Sequence, residues 1–322
     1  MKKILVSVLA LVSLMTSQAS AESRSAEALL HQMGQASTQL NYEMSYILIK
    51  QNSIEPLMYR YATYNEQALA HLVYLSGPVR EVIRRGSEIS YFEQGIDPFT
   101  IASSNMVAPI PPLMNSDIEH LSKYYDFVSM GKAREAGSAC DVIRVVPKDG
   151  NRYSYMVWID ERSKLPLRTD LVSREGEALE QYRAVSYVVN DKIADLLDGL
   201  NQVTLPTAVS MPRRSNSSAG WFLAWKPAGF ESINYNSYRL AITEKAVESQ
   251  MYTDGLFNFS VYISDADSLS VREQLVRQGR RTFHSHIDGQ REVTVVGDIP
   301  PSTAKRIAES VSFRNVNKKV TQ

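Results

Sequence analysis

Few residues of this chain stand at spacings that could do covalent chemistry. His284 and His286 are two apart in a strand-like run, so both imidazoles fall on one face and could share a metal ion. No third ligand stands beside them, and no metal site is assigned. Asp265-Ala266-Asp267 has the form of a calcium-loop start, but Leu269 occupies a ligand position and Ser270 sits where the turn requires glycine. Nucleophile elbows, phosphate loops and dinucleotide-binding glycines are absent from the sequence. Cys140, the one cysteine, lies in ACDVIRVV and reads as a small buried hydrophobe; a single cysteine forms no internal disulfide. No catalytic residue and no cofactor is assigned, and the chain reads as a binder rather than an enzyme.

The remaining chemistry is aromatic and basic surface. Tyr46, Tyr59, Tyr74, Tyr91, Phe92, Phe99, Leu113 and Phe127 are candidates for an apolar cavity that receives an acyl chain or an apolar peptide side chain. The same residues would equally serve an ordinary barrel core. Trp221, Trp225 and Phe230 are placed as anchors for a bound partner peptide. Arg277, Arg280 and Arg281 form the densest basic cluster, able to meet a phosphate or an acidic peptide, or to remain a solvated face.

The elements that must position these groups are mostly strands. Ser25 to Leu40 carries apolar residues near helical spacing and predicts an amphipathic helix. From Tyr42 the period changes to two, with apolar residues on both faces, so something must cover each side. Strand-like runs follow at Leu57 to Tyr64, Ala68 to Leu75, Val79 to Arg85 and Glu88 to Glu93. Between Pro98 and Tyr125 the pattern breaks: VAPIPPLM, rich in proline, predicts a lid or mouth, and SDIEHLSKYY a short helix capped by Ser116 or Asp117. Strands resume at Asp126 to Gly131 and Cys140 to Pro147, and Tyr153 to Val189 reads as a three-stranded meander with turns at DERSK and SREGE. A sheet of about ten strands is expected to curl into a barrel or half barrel with helices in its hollow. Ile193 to Leu200 suggests another short helix. In the C-terminal part SLSVREQLVR reads as helix-like, EVTVVGD as a strand, and the stretch after Pro300-Pro301 as a final helix capped by Ser302.

Residues 1–21 have the basic start, apolar run and Ala19-Ser20-Ala21 end of a secretory signal, with cleavage after Ala21. The apolar run is too short for a membrane span. The mature chain is expected to be a soluble exported protein. Without the two lysines of the leader, 33 Lys and Arg face 35 Asp and Glu, a balance that argues against a nucleic-acid binder. The expected domains are 22–202, a linker rich in proline and serine at 203–218, and a smaller α+β domain at 219–322.

Several motifs are familiar together: LNYEMSYI at 40–47, GPVREVIRRGSEISYFEQG at 77–95, YYDFVSMG at 124–131, CDVIRVVPKDGNRYSYMVWIDERSKLPLR at 140–168, MYTDGLFNFSVYI at 251–263 and GDIPPSTAKRIAES at 297–310. On these blocks the chain resembles the RseB/MucB family, periplasmic negative regulators of the envelope-stress sigma factor sigma-E. The resemblance implies an α+β protein: a large domain similar to LolA and LolB, an unclosed antiparallel β-barrel with helices in its concave side, joined to a smaller α+β domain. It further implies a periplasmic location and binding of the periplasmic domain of the anti-sigma factor RseA, shielded from the site-1 protease DegS. Lipid A, lipopolysaccharide or the acyl chains of mislocalised lipoprotein would lift that shielding. A LolA-type lipid carrier or periplasmic chaperone is the alternative, and the oligomeric state, a homo-oligomer included, stays open.

Overall fold

The computed structural model describes residues 25–103, 106–209, 219–240, 244–267, 270 and 273–314. The expected leader lies outside the described residues. The helix expected first is present as α1, residues 25–39, with Ala26, Leu30, Met33 and Ala36 buried at helical spacing. Eleven strands then build one sheet: β1 (Tyr42–Lys50), β2 (Ser53–Tyr64), β3 (Gln67–Tyr74), β4 (Arg80–Arg85), β5 (Glu88–Glu93), β6 (Ile96–Ala102), β7 (Tyr125–Glu135), β8 (Ser138–Pro147), β9 (Ser154–Asp160), β10 (Pro166–Val172) and β11 (Ala178–Val189). Before β7 stand a 3-10 turn, Pro112–Asn115, and the short helix α2, Ile118–Ser122, whose first turn is capped by the Asp117 carboxylate accepting from His120 N at 2.9 Å.

The strand order is β6-β5-β4-β3-β2-β1-β11-β10-β9-β8-β7, with every neighbour antiparallel. The two ends of that order do not meet, so this is an unclosed half barrel. Strand β1 pairs with β11 across the whole unit, Tyr42 opposite Val189. Tyr187 of β11 and Ser138 of β8 are three strands apart in the order, about 14 Å on a flat sheet, yet their hydroxyls are 2.9 Å apart. The sheet therefore curls back on itself along that stretch. Its outer side is partly covered by α3 (Lys192–Asp198), where Ile193, Ala194 and Leu197 pack on Ala62 and Leu69.

Pro98 lies inside β6, where the sequence predicts the pattern to break. A proline is tolerated there because β6 is the outermost strand of the sheet. The chain beyond it is tied to the same edge: Val209 N donates to the Thr100 carbonyl at 2.7 Å, and Arg85 reaches the carbonyls of Asn201 and Val203. Of the expected linker, residues 203–209 are thus attached to the half barrel and 210–218 lie outside the described residues.

A second compact unit comprises Asp149–Tyr153 and the chain from Pro212 onward. It contains β12 (Trp221–Leu223), β13 (Glu231–Arg239), β14 (Ala246–Thr253), β15 (Asn258–Asp265), β16 (Glu273–Gln278), β17 (Arg281–Asp288), β18 (Arg291–Gly297), α4 (Pro301–Glu309) and β19 (Val311–Phe313). The main sheet runs β13-β14-β15-β18-β17-β16, and β12 pairs separately with β19. Two expectations change here. Glu273–Gln278, read as helix-like, is the edge strand β16, because pairing with β17 supplies the backbone bonds that an exposed helix would have had to make alone. Ser302 does not cap α4; Pro300 holds the N-cap position and Pro301 the first helical one, where a missing N–H costs nothing.

The segment Asp149–Tyr153, between β8 and β9 in sequence, is integral to this second unit. Arg152 Nε donates to Asp254 Oδ2 at 2.7 Å and Nη1 to Asp149 Oδ1 at 2.8 Å, while Nη2 donates to the Ala228 carbonyl. Both side chains of the Arg152–Asp254 pair are essentially inaccessible. Asp254 Oδ1 also accepts from the backbone N–H groups of Leu256 and Phe257, so the charge is bonded from two sides. Tyr153 OH donates to the Ile299 carbonyl, and Thr303 Oγ1 to the Asn151 carbonyl.

Removing one member of such a pair leaves the other charge buried without its partner, at about 3–5 kcal/mol. Arg152→Ala should destabilise the second unit by that amount, seen as a lowered midpoint for its transition in urea; an unfolding free energy within about 1 kcal/mol of the parent, the size of an ordinary hydrogen bond, would show that the pair is dispensable.

Candidate functional site

Alternation along β1 sends Tyr42, Met44, Tyr46 and Leu48 to one face. Antiparallel register carries that face outward, because directly opposite residues share a side. Tyr42 faces Tyr61 and Met44 faces Tyr59 on β2; Tyr59 faces Leu72 on β3, Leu72 faces Val82 on β4, and Val82 faces Tyr91 on β5. On the other side Leu48 faces Tyr182, which faces Thr169 on β10. The rings touch: Tyr42 stacks on Tyr61 at 5.9 Å and meets Tyr59 edge-on at 6.0 Å, and Tyr91 stacks on Phe99 at 5.0 Å.

The tyrosine hydroxyls hold what covers them. Tyr42 OH donates to the Ser37 carbonyl at 3.3 Å and Tyr61 OH to the Thr38 carbonyl at 3.1 Å, fixing the last turn of α1. Tyr46 OH donates to the Pro109 carbonyl, and Val107 N donates to Tyr91 OH at 3.2 Å, fixing the strap of residues 106–115. Met106, Ile110 and Met114 of that strap, with Ala36 of α1, complete the apolar cluster. Burial, then the neighbouring tyrosines, hold the Tyr42 and Tyr46 hydroxyls well above their ordinary range; burial and Tyr61 raise Tyr59. These hydroxyls stay neutral donors at any physiological pH. Burial likewise pushes the Cys140 thiol up to about 11, which suits an inert core residue.

Two clefts open on this unit. One of about 510 Å³ lies between α1 and residues 114–119, lined among others by His31, Thr38, Met114, Ser116 and the guanidinium-bearing Arg84. The other, about 670 Å³, is lined by Leu40, Ser138, Asp160, Arg162, Ser163, Tyr187 and Val189. Arg84 is the residue that the sequence reading missed. It faces Ala70 on β3 and so belongs to the tyrosine face, where the alternation Val82, Arg84 could have revealed it. Chemically, the face offers apolar rings with a cation and hydroxyl groups at its margin, covered by α1 and the strap.

The candidate cavity residues divide. Tyr46, Tyr59, Tyr74 and Tyr91 come together, with Phe99 stacked at the end. Tyr74 is half-buried beneath Arg80, whose guanidinium carbon is 3.6 Å from the ring centre. Leu113 is buried in the 3-10 turn, and Phe127 is buried opposite Val145, both outside the tyrosine cluster. Phe92 is a correction: it pairs with Glu81, one residue out of phase with Tyr91, and so faces the other side of the sheet.

The candidate peptide anchors are corrected as well. Trp221 and Phe230 are buried, Phe230 packing on Phe259 at 5.0 Å, so they are core of the second unit and present no surface to a partner. Trp225 is half-buried with the Arg306 guanidinium 3.8 Å above its ring. Arg277 is exposed on β16, whereas Arg280 and Arg281 share the Asp298 carboxylate at 2.8 and 3.5 Å. The expected basic cluster is therefore partly neutralised. His284 and His286 do share a face, their rings 5.8 Å apart, and Glu273 stands opposite His286. Among the described residues no group of three His, Cys, Asp or Glu is disposed to hold a metal.

The comparisons with known proteins follow this two-part architecture. Residues 25–207 match the MucB/RseB N-terminal domain and residues 215–312 the MucB/RseB C-terminal domain. The chain belongs to the MucB/RseB family. It is 45% identical over 287 residues to the sigma-E factor regulatory protein RseB of Escherichia coli strain K12, covering 89% of this chain and 90% of that one. With RseB of Haemophilus influenzae it is 38% identical over 307 residues, 95% of this chain and 97% of the relative. Among solved structures, MucB in the Pseudomonas aeruginosa MucA/MucB complex superposes with a TM-score of 0.72 at 23% identity, covering 90% of this chain and 99% of that one, a likeness of fold. These relatives of the MucB/RseB member carry regulatory names. Among the described residues no helix is long and apolar enough to cross a membrane.

Two measurements bear on this geometry. Tyr46→Phe and Tyr91→Phe each delete one strap hydrogen bond, worth about 1 kcal/mol, so amide exchange should quicken across 106–115 while β1 stays protected; unchanged exchange would mean that the strap is held by packing alone. Second, burial and the charge that His286 would carry push the His284 imidazole below its ordinary value of about 6.5. Glu273 and Glu309 act the other way, and Lys305 reinforces the depression. The unfolded chain then takes up this proton at higher pH than the folded one, so the stability is complete above about pH 6.5 and is lost as pH falls through the lower folded value. Between pH 7.5 and 5.5 the parent should lose more thermal stability than His284→Gln; parallel losses would remove His284 as the cause.

Proposed function

We propose that this chain is an exported negative regulator of an envelope-stress sigma factor, acting by holding the periplasmic segment of a MucA/RseA-type anti-sigma factor. The observation that carries the reading is continuous family membership over both units, with near-full coverage of relatives named sigma-E factor regulatory proteins. A MucB of the same family is known in complex with MucA. In this reading the chain is periplasmic, non-catalytic, and shields the anti-sigma segment from its first proteolytic cut.

Release follows by linkage. A lipid A or lipoprotein acyl chain that replaced the 106–115 strap on the tyrosine face would favour a state that holds the anti-sigma segment less well. A differential affinity of about 1–3 kcal/mol changes occupancy by about 5 to 150 fold. Tyr46, Tyr59, Tyr74 and Tyr91 are the proposed acyl-contact residues, and the exposed Arg277 with the half-covered Trp225 remain candidates for the peptide. A lipid carrier without an anti-sigma role is the competing reading; it predicts acyl binding with no affinity for the anti-sigma segment.

The test is a titration of residues 22–322 against the periplasmic domain of a MucA/RseA-type protein, followed by digestion with a DegS-type site-1 protease. Expected is saturable binding that slows cleavage at least tenfold, with protection lost on adding lipid A. Cleavage at the same rate with and without the chain would overturn the reading.

A further inference from the structure

Successive strands of the meander β1 to β6 are antiparallel, so the turns β1–β2, β3–β4 and β5–β6 all lie at one end of the sheet. The turns β2–β3 and β4–β5 lie at the other. The two rims differ in chemistry. The second is polar: Asn65 and Glu66 in one turn, Gly86 and Ser87 in the next. The turn residues of the first are polar or glycine as well, Gln51-Asn52, Ser76-Gly77 and Gln94-Gly95, but large aliphatic side chains flank them: Ile54 in β2, Leu75 and Val79 on either side of the β3–β4 turn, and Ile96 at the start of β6, each between 52% and 69% exposed. Clustered exposed aliphatics on a domain mark a contact surface.

We propose that this rim is a lipid-bilayer contact, with the tips inserted shallowly into the uncharged interfacial region. The residue types favour lipid over protein. Protein contacts are anchored by Trp, Tyr and Arg in packed pockets, whereas these are four aliphatic side chains flanking three turns at one end of the sheet, of the residue type that interfacial insertion uses. The charge balance agrees. Lys50 is paired with Glu55 at 3.5 Å, and Arg80 lies on the Tyr74 ring and opposite Glu93 in register, with Asp97 beside them. With Lys50 and Arg80 against Glu55, Glu93 and Asp97, the rim has no excess of positive charge and so no electrostatic attraction to an anionic membrane. The rim is also continuous with the half-buried end of the tyrosine face, since Tyr74 adjoins Leu75 and Tyr91 pairs with Phe99.

The experiment is flotation of residues 22–322 with phosphatidylcholine vesicles at 0.1 and 0.5 M NaCl. The comparison protein carries Ile54→Ser, Leu75→Ser, Val79→Ser and Ile96→Ser together, and a control carries Val185→Ser with Val188→Ser, two exposed aliphatics away from these tips. Because all are exposed, thermal unfolding should match the parent in each case. Expected is vesicle binding by the parent that is indifferent to salt, unchanged in the control and reduced at least tenfold in the tip variant. A parent that stays with the buffer would overturn the proposal and leave the patch to a protein partner. Equal binding by the tip variant, or binding abolished at 0.5 M salt, would overturn it too. Failure here leaves the anti-sigma titration untouched, since no lipid enters that measurement's first step.

Discussion

A half barrel has an inner face that no second sheet covers, and the architecture of the large unit answers that constraint. The inner face is lined by tyrosines rather than by Leu and Val alone, and their hydroxyls reach backbone carbonyls of the elements laid over them. Each ring therefore serves twice: its body is buried apolar area and its tip satisfies a polar group that would otherwise be stranded. Helix α1 and the strap are held by few, specific bonds over a broad apolar contact.

The second unit solves a different problem. Its core is assembled around a buried ion pair whose arginine comes from far upstream in the chain. Isolated buried pairs are poor sources of stability, but here the guanidinium also satisfies Asp149 and the Ala228 carbonyl, and Phe230 lies within 5.0 Å of it. The arrangement specifies which loop belongs in that site more than it adds free energy. Close packing nearby is similarly selective: a Cβ at Gly297 would stand 2.4 Å from that of Phe259, so only glycine fits opposite it.

Much of this was legible in the sequence because it is written in short-range periodicity. The helix 25–39, strand Glu88–Glu93 and the meander through Val189 follow from spacing and turn chemistry, with Gly176 at φ 88° where the turn needs it. What failed depends on partners distant in sequence. Glu273–Gln278 has no local reason to be a strand until β17 is beside it. Trp221 and Phe230 look like surface anchors until the buried pair and β19 enclose them, and Phe92 differs from Tyr91 only by the register with β4. Arg84 was missed for the converse reason: a charged residue in a strand is read as solvent-facing, although alternation puts it with Tyr61 and Ala70.

The loop Asp149–Tyr153 also makes the two units interleave in sequence. Arg152 and Asp254 are separated by 102 residues, so the second unit completes its core only across strands β9 to β11, which belong to the first. One partner of its buried ion pair is thus supplied by a connection between two strands of the half barrel, and the second fold is not encoded by one contiguous stretch.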